Sequence, residues 1–563
     1  MKRVKPRWQI LGESRPTSIS EVLDRLLHNR GLTPSLLNAT LKDLEKHLAI
    51  MGIRAGAELM AWHLERGHKV VLVGDYDCDG ITSVAQAALF LRDIGYANFA
   101  VVIPTRAEGY GMPTRALQQH PDARLFLIMD CGTFDVEPVT LARSRGADCI
   151  VIDHHEVASH APEQLAPASV LINPKQPGCP STFKEFCSSG LTLLFLSQLR
   201  KATRSRLRHQ PPPALGAKYL ILAALATVAD IVPLVEGNRI ITQAGLSHIN
   251  RGAFAPVQQI VELAGLERRH LSAGHIGYTI APRINAAGRV ADPALAYELL
   301  VADDPATCRD RARELNLLNS RRQHQEHLII ETVRERFTGE MNERRTLVMG
   351  DPNWSTGLVG IIASRVQQEL FYGPTIVLSM DQERCVARGS ARSVSGFDVH
   401  AALNQCGDLL MRWGGHRMAA GMTLSLDKID AFAERFEQVA QTHDAGVFIP
   451  KGTVDLELDL DLVTSDLLDA LKQLEPHGQG NPTPLFCTRQ VKVGVQRVFG
   501  KDREHLRVLL NDRIGGIVWR GGALYPSLKT LQSARQDVVF QVDRDRFQAG
   551  PVLNIKDLGQ LFK

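Results

Sequence analysis

Residues 69–93, KVVLVGDYDCDGITSVAQAALFLRD, decide the fold. Residues 70–73 are an unbroken apolar run closed by Gly74, which reads as a short strand covered on both faces. An acidic turn follows, and residues 82–95 then carry an amphipathic helical pattern. The unit recurs downstream as FAVVIPT (99–105), RLFLIMD (124–130), the helical EPVTLARSRG (137–146), CIVIDHH (149–155) and SVLINP (169–174). Strands separated by helices of about ten residues are βαβ units, so the fold class expected is α/β, a doubly wound parallel sheet. In such open sheets ligands bind beyond the carboxyl ends of the strands. Those ends carry Asp75, Asp77 and Asp79, then Asp130, then Asp153, His154 and His155.

The chain of 563 residues is too long for one core, and roughly 150 residues per domain predicts three to four domains. With 44% hydrophobic and 22% charged residues it has a globular composition, which excludes disorder as the main state. Sixty-five Lys and Arg against 61 Asp and Glu leave only +4, so any nucleic-acid partner must meet a local patch of positive charge. Nine scattered cysteines without a CxxC pair argue against a disulfide framework or zinc finger and fit a reducing, cytoplasmic setting. The basic N-terminal stretch lacks the apolar run of a secretory signal. The most apolar segment, residues 219–234, is interrupted by Asp230, so no membrane span is expected.

The pattern sets out five regions: a helical preface over 1–66, the first α/β domain over 67–307, a linker helix over 308–345, a second α/β domain over 346–448 and a β-barrel over 449–563. The linker carries an apolar stripe of Leu315, Leu318, Leu328 and Ile329 in a highly charged background. TLVMGD (346–351) through TIVLSM (375–380) to GGHRMAAGMTL (414–424) makes the second α/β pattern, and QVKVGVQRV (490–498), GGIVWRGG (515–522) and DVVFQVDRD (537–545) alternate as strands of an OB-type barrel. The basic segment RKATRSRLRHQPPP (200–213) reads as a solvated surface loop rather than a DNA contact.

Asp77 and Asp79 can face one side of the turn, and Gly80 lets the backbone enter the helix. His154 and His155 can serve one site only if their strand has already ended. A lone DxD or HH is common on surfaces, and Asp130 alone could cap a helix. Asp230, closing an apolar helix, is harder to treat so, because burying an unpaired carboxylate is costly. Four segments ending in acids and imidazoles on one rim favour a metal site. Its ligands outnumber the needs of one ion, which points to two, with the mixed Asp/His shell favouring Mn²⁺ over Mg²⁺.

GDYDCDGITS (74–83), MDCG (129–132), VIDHH (151–155) and ATVADIVPL (226–234) resemble the four signature motifs of the DHH phosphoesterase superfamily. From Gly12 to the barrel, the chain resembles that superfamily's single-strand-specific exonuclease family. IPTRAEGYGM (103–112), APRINAAGRV (281–290), NWSTGLVGIIASR (353–365), ARGSARS (387–393), GGHRMAAG (414–421) and EPHGQGNPTPLF (475–486) carry the likeness in the same order. The resemblance implies metal ligation by Asp77, Asp79, Asp130, His154, His155 and Asp230, with Asp75 and Asp153 orienting them. It implies that Ser390, Arg392 and His416 hold nucleic-acid phosphates, and that Arg106, Arg283 and Arg289 surround the 5′ end, as guanidinium groups suit bidentate phosphate binding. Cys78, Thr105, Ser355, Ala226, Ala281 and the FCSSGLTLLF block (186–195) depart from the family pattern without removing a ligand.

The implied reaction is hydrolysis of single-stranded DNA from 5′ to 3′ by two ions, Mn²⁺ or Mg²⁺, releasing 5′-mononucleotides in recombination and repair. Single-strand selectivity would follow from a groove between the two α/β domains too narrow for a duplex. A monomer working with single-strand-binding protein and a helicase is the family expectation. Lys492, Arg497, Lys501, Arg503 and Arg507 are candidate charges on the barrel, and Phe499, Trp519 and Phe547 candidate stacking platforms. Two other readings stand beside this: a phosphodiesterase of short RNA or cyclic dinucleotides, which the length disfavours, and a catalytically inactive scaffold in a replication or repair complex, which the intact ligand positions disfavour.

Overall fold

The computed structural model describes residues 6–12, 14–157, 164–206, 214–337, 343–530, 535–545 and 550–562. They form two compact units. The first comprises residues 30–320 with 471–483, and the second comprises 1–29, 321–470 and 484–563. The second therefore contains the first strand, β1 (Arg7–Ile10), whereas the next five strands lie in the first.

Those five are β2 (Val70–Gly74), β3 (Phe99–Val102), β4 (Leu125–Met129), β5 (Asp148–Ile152) and β6 (Val170–Ile172), in the order β3-β2-β4-β5-β6 with every pairing parallel. The expected doubly wound sheet is present. Val70, Val71, Leu72 and Val73 are fully buried, each contributing about 1.5–3 kcal/mol. The helix Cys78–Asp93 follows β2, capped by Asp77, whose side chain accepts from the N–H groups of Asp79 and Gly80. A Cβ on Gly80 would lie 2.4 Å from both N and O of Asp75, so the turn closes only around glycine. The helices Ser188–Arg206 and Ala217–Ala229 pack beside it in one continuous core. The basic segment 200–213 is helical as far as Arg206, and the rest lies outside the described residues.

Residues 471–483 dock into this unit through buried polar contacts. Arg239, 1% exposed, donates to the carbonyls of Leu474 (2.8 Å) and Gln473 (2.9 Å), and the Leu234 N–H bonds the Gln479 carbonyl at 2.7 Å. Asn481 spans the loop, donating to Leu474 and Pro476 and accepting from Arg30. The EPHGQGNPTPLF block thus braces the segment that follows Asp230.

In the second unit, β7 (Leu347–Asp351), β8 (Thr375–Asp381), β9 (Val386–Arg392), β10 (Arg412–Gly415) and β11 (Ala419–Ser425) form a sheet in the order β10-β11-β9-β8-β7. Only β7 and β8 are parallel, so this second α/β domain has a mixed sheet. The linker helix runs from Pro305 to Arg336, its residues up to 320 in the first unit and the remainder in the second. β12 (Lys451–Val454) pairs in parallel with β1, where Gly452 leaves room for the Trp8 ring; a Cβ there would lie 2.3 Å from it. The preface is therefore helical over Ile19–Asn29 and Ile53–Glu65 but opens with a strand.

β13 (Leu456–Glu457), β14 (Phe486–Phe499), β15 (His505–Leu510), β16 (Ile514–Val518), β17 (Arg535–Arg544) and β18 (Pro551–Gly559) follow in the order β13-β14-β15-β16-β18-β17. A further β14–β17 pairing closes the ring, the barrel the alternation predicts. No helix among the described residues is long and apolar enough to cross a membrane.

Candidate metal centre

The acidic turn after β2, the ends of β4 and β5 and the end of the Ala217–Ala229 helix meet at one rim. Asp79, 1% exposed, receives two backbone donors on its carboxylate: the N–H of Ser188 and of Ser189, both at 2.7 Å, from the start of the Ser188–Arg206 helix. A helix N-terminus is a natural seat for negative charge. Asp130 follows β4 in a left-handed conformation (φ 64°), with its carbonyl accepting from the Tyr110 hydroxyl at 2.8 Å. β5 ends at Ile152, so both histidines fall beyond the strand, the condition under which both can serve one site. Asp153 fixes that corner, accepting from the N–H groups of His154 (2.7 Å), His155 (3.2 Å) and Thr133 (3.1 Å) and pairing with His155 Nδ1 at 2.7 Å.

His154 Nε2 is the focus. It lies 3.4 Å from Asp130 Oδ1, 3.6 Å from Asp230 Oδ2 and 3.7 Å from Asp79 Oδ2, and it is buried without a hydrogen-bond partner. Three overlapping groups have ligand atoms within 4.8 Å of one another: Asp130, His154 and His155; Asp79, His154 and Asp230; Asp75, Asp77 and Asp130. All six residues expected as ligands are drawn together. Asp75 belongs with them, 4% exposed and with a buried, unpartnered Oδ1, so its geometry is that of a ligand as much as an orienting group.

The electrostatics agree. Burial, then the charge of Asp77, raises the Asp79 carboxyl to about 6, and burial with neighbouring carboxylates pushes Asp75, Asp130 and Asp230 well above the usual range. Burial, then the charge of His155, lowers His154 to about 3, keeping its ring neutral with a lone pair to donate. Burial works to lower His155, but its bond to Asp153 together with the charges of Asp153, Asp230 and Asp79 raises it to about 9. Burial of Asp153 is likewise outweighed by its bonds and the charges of the two histidines, which hold it below the normal carboxylate range. Crowded carboxylates around an orphaned imidazole nitrogen fit one or more divalent cations, which would take the place of the protons these groups otherwise retain.

The basic residues divide. Arg106 lies over the Tyr76 ring at 4.2 Å and donates to the Gly288 carbonyl at 2.8 Å. Gly288, next to Arg289 in the chain, packs against the Tyr76 backbone in the acidic turn, where an added Cβ would lie 2.3 Å from its carbonyl oxygen. Arg283 is instead tied to Asn316 Oδ1 (3.0 Å) and the Thr279 carbonyl (2.6 Å). In the second unit, Arg392 on β9 donates to Ser390 Oγ at 2.8 Å and Ser364 Oγ at 2.9 Å, and His416 sits in the turn between β10 and β11.

On the barrel, Arg507 is a correction. Counted among the candidate charges for nucleic acid, it instead forms a buried pair with Asp545 at 2.6 Å and is spent inside the domain. Lys492 pairs with Asp512 at 2.9 Å. Phe499, His505 and Trp519 form an edge-packed cluster, Trp519 half exposed, while Phe547 lies outside the described residues.

Sequence reasoning misses three contributors: the backbone donors of Ser188 and Ser189, the Tyr110 hydroxyl, and Asn285, whose Oδ1 accepts from the Cys78 N–H at 2.7 Å. Only the serines left a trace, as polar residues opening an apolar helix.

Three family models match: DHH family, N-terminal domain over residues 69–227, DHHA1 domain over 343–442 and RecJ OB domain over 454–557. The single-stranded-DNA-specific exonuclease RecJ of Bacillus subtilis is 30% identical over 90% of this chain, which spans 64% of that protein's length, less than two thirds. The Salmonella typhimurium protein of the same name is 32% identical, covering 89% of this chain and 88% of its own. The crystal structure of Thermus thermophilus RecJ in complex with Mn²⁺ matches with a TM-score of 0.80 at 27% identity, over 98% of this chain and 79% of that one. Its complex with Mg²⁺ matches at 0.75 and 26% identity, over 98% and 78%. With the acidic rim, the barrel and both α/β domains in the same order along the sequence, this chain belongs to the RecJ family.

Proposed function

We propose that this chain is a metal-dependent exonuclease that degrades single-stranded DNA from 5′ to 3′, releasing 5′-mononucleotides during recombination and repair. The observation that carries the reading is the buried, unpartnered Nε2 of His154 among the carboxylates of Asp79, Asp130 and Asp230. Asp77, Asp79, Asp130, His154, His155 and Asp230 are the proposed metal ligands, with Asp75 joining them and Asp153 orienting both histidines. Two Mn²⁺ or Mg²⁺ ions, the metals named for the Thermus protein, would lower the pKa of an attacking water and stabilise the leaving 3′ oxygen.

The chain's own groups do the rest. Ser188 and Ser189 hold Asp79 still, Asp153 fixes the tautomer of His155, and Tyr110 braces the strained Asp130. Arg106 and Arg289 supply positive charge for the 5′-terminal phosphate beside the acidic turn, with Arg283 placing the Ala281–Val290 helix that carries Arg289. Ser390, Arg392 and His416 bind phosphates further along the strand. No protein nucleophile is required.

The proposed domains are a preface over 1–66, a catalytic domain over 67–307, a linker over 308–345, a substrate-binding domain over 346–448 and a nucleic-acid-binding barrel over 449–563. A monomer in the cytoplasm, working with single-strand-binding protein and a helicase, fits this role. The test is a time course on single- and double-stranded oligonucleotides labelled at either end, with Mn²⁺ or Mg²⁺. The expected result is mononucleotide release from the 5′ end of single strands only. DNA that is bound but never shortened would favour the scaffold reading instead.

A further inference from the structure

The residue after Asp230 is out of place by ordinary rules. The helix Ala217–Ala229 ends with Asp230 as C-cap, and Ile231 occupies the next position in a left-handed conformation, φ 58°, its N–H returning to the Val228 carbonyl at 3.3 Å. Glycine is the residue that fits there, and a β-branched side chain is the least suited. Ile231 is nevertheless 69% exposed, so no core packing offsets the strain. The following segment holds it in place: Leu234 is bonded to Gln479, and Asn238 Nδ2 donates to the carbonyls of Pro233 (3.0 Å) and Glu185 (2.6 Å).

A second anomaly sits against the same helix turn. Residues Ile276–Ile280 form a π-helical turn, a form frequent at functional sites. Its Gly277 lies close to Val228, with an added Cβ 3.4 Å from Val228 Cγ1. The next residue, Tyr278, is 88% exposed, while Ile276 and Ile280 on either side are fully buried. Two large side chains are thus exposed at uncommon backbone forms, Ile231 directly after Asp230 and Tyr278 next to the Gly277 that packs on Val228 of the same helix.

We propose that Ile231 and Tyr278 form an apolar platform that receives the face of an unpaired nucleobase as the strand enters the metal centre. This rests on the exonuclease reading and deepens it. Every base has an apolar face, so such a platform is indifferent to sequence, yet a duplex keeps those faces covered by stacking. The platform would therefore help select single strands at the site of cleavage.

The test uses the full chain with Mn²⁺ and two single-stranded oligonucleotides, one ordinary and one with abasic residues at its 5′ end. Wild type, Ile231→Gly, Tyr278→Ala and Tyr278→Phe are compared for KM and kcat, and for binding by fluorescence anisotropy. Loss of one stacking contact should raise KM for the ordinary strand about tenfold in Tyr278→Ala, with kcat nearly unchanged, no effect on the abasic strand and recovery in Tyr278→Phe. Ile231→Gly should lose the same discrimination while melting about 2 °C higher, because strain is relieved. Equal effects on both strands, or unchanged KM, would overturn the platform, as would a lower melting temperature in Ile231→Gly. Failure of wild type to cut any strand would instead refute the exonuclease reading, and the binding comparison would still decide the platform.

Discussion

Gly80→Ala separates two physical arguments of opposite sign. Gly80 lies in the first turn of the helix Cys78–Asp93, and alanine in a helix is ordinarily preferred to glycine by about 1 kcal/mol. On that ground alone the variant would be more stable. The turn forbids it: the new Cβ would lie 2.4 Å from N and O of Asp75 and 2.7 Å from its carbonyl carbon, all rigid backbone. Normal contact requires a displacement of roughly 1 Å, in a turn whose neighbours are Asp75, Asp77 and Asp79. Overpacking of this kind costs about 1–3 kcal/mol, which exceeds the propensity gain. A shift of that size at a catalytic centre typically costs about a hundredfold in rate. Gly80→Ala should therefore melt below wild type, lose most of the stabilisation that Mn²⁺ gives wild type, and show a kcat at least about a hundredfold lower. Differential scanning fluorimetry with and without Mn²⁺, alongside single-turnover digestion, reads all three. A variant that melts higher and retains its rate would refute the close-packed acidic turn.

Three further outcomes are expected. Burial, then the charges of Arg30 and Arg239, lowers His477 to about 4, so the unfolded chain takes up a proton near pH 6.5 that the folded one refuses. Stability should be intact above pH 6.5 and fall as pH drops through 6.5 towards 4, by about 1–2 kcal/mol after allowing for solvent screening, and His477→Gln should flatten that slope in urea melts. Arg507→Ala should destabilise the barrel by about 3–5 kcal/mol, because Asp545 stays buried without its cation, while the salt dependence of DNA binding stays as in wild type. Arg239→Met should leave the carbonyls of Gln473 and Leu474 without their donors, costing about 1–3 kcal/mol each and loosening Asp230, which a weaker Mn²⁺ affinity would register.

The strands were legible because parallel strands buried on both faces leave unbroken apolar runs, as in residues 70–73 and 125–129. The acidic rim was legible because its residues close apolar segments, the strands β2, β4 and β5 and the Ala217–Ala229 helix. The helix N-terminus beneath Asp79 left only its two serines as a trace, since the backbone donors themselves have no residue signature. The pairing of β1 with β12, which joins positions over 400 residues apart and depends on a ring seated on Gly452, was not legible. Arg507 was counted among the candidate charges because a basic residue in a strand does not reveal whether it finds a buried partner, and here Asp545 supplies one. The orienting part of Asp75 came from the family resemblance, and its buried, unpartnered oxygen is a feature that no sequence pattern carries.

The measurement that tests the metal centre most directly is the amount of Mn²⁺ retained by wild type and by Asp130→Ala, counted by titration calorimetry and metal analysis. Asp130 contributes to two of the three ligand groups, and its carboxylate lies 3.4 Å from His154 Nε2. Wild type should bind two equivalents and Asp130→Ala fewer than one, with digestion of single strands lost in parallel. Equal binding by both proteins, or none by wild type, would contradict the account.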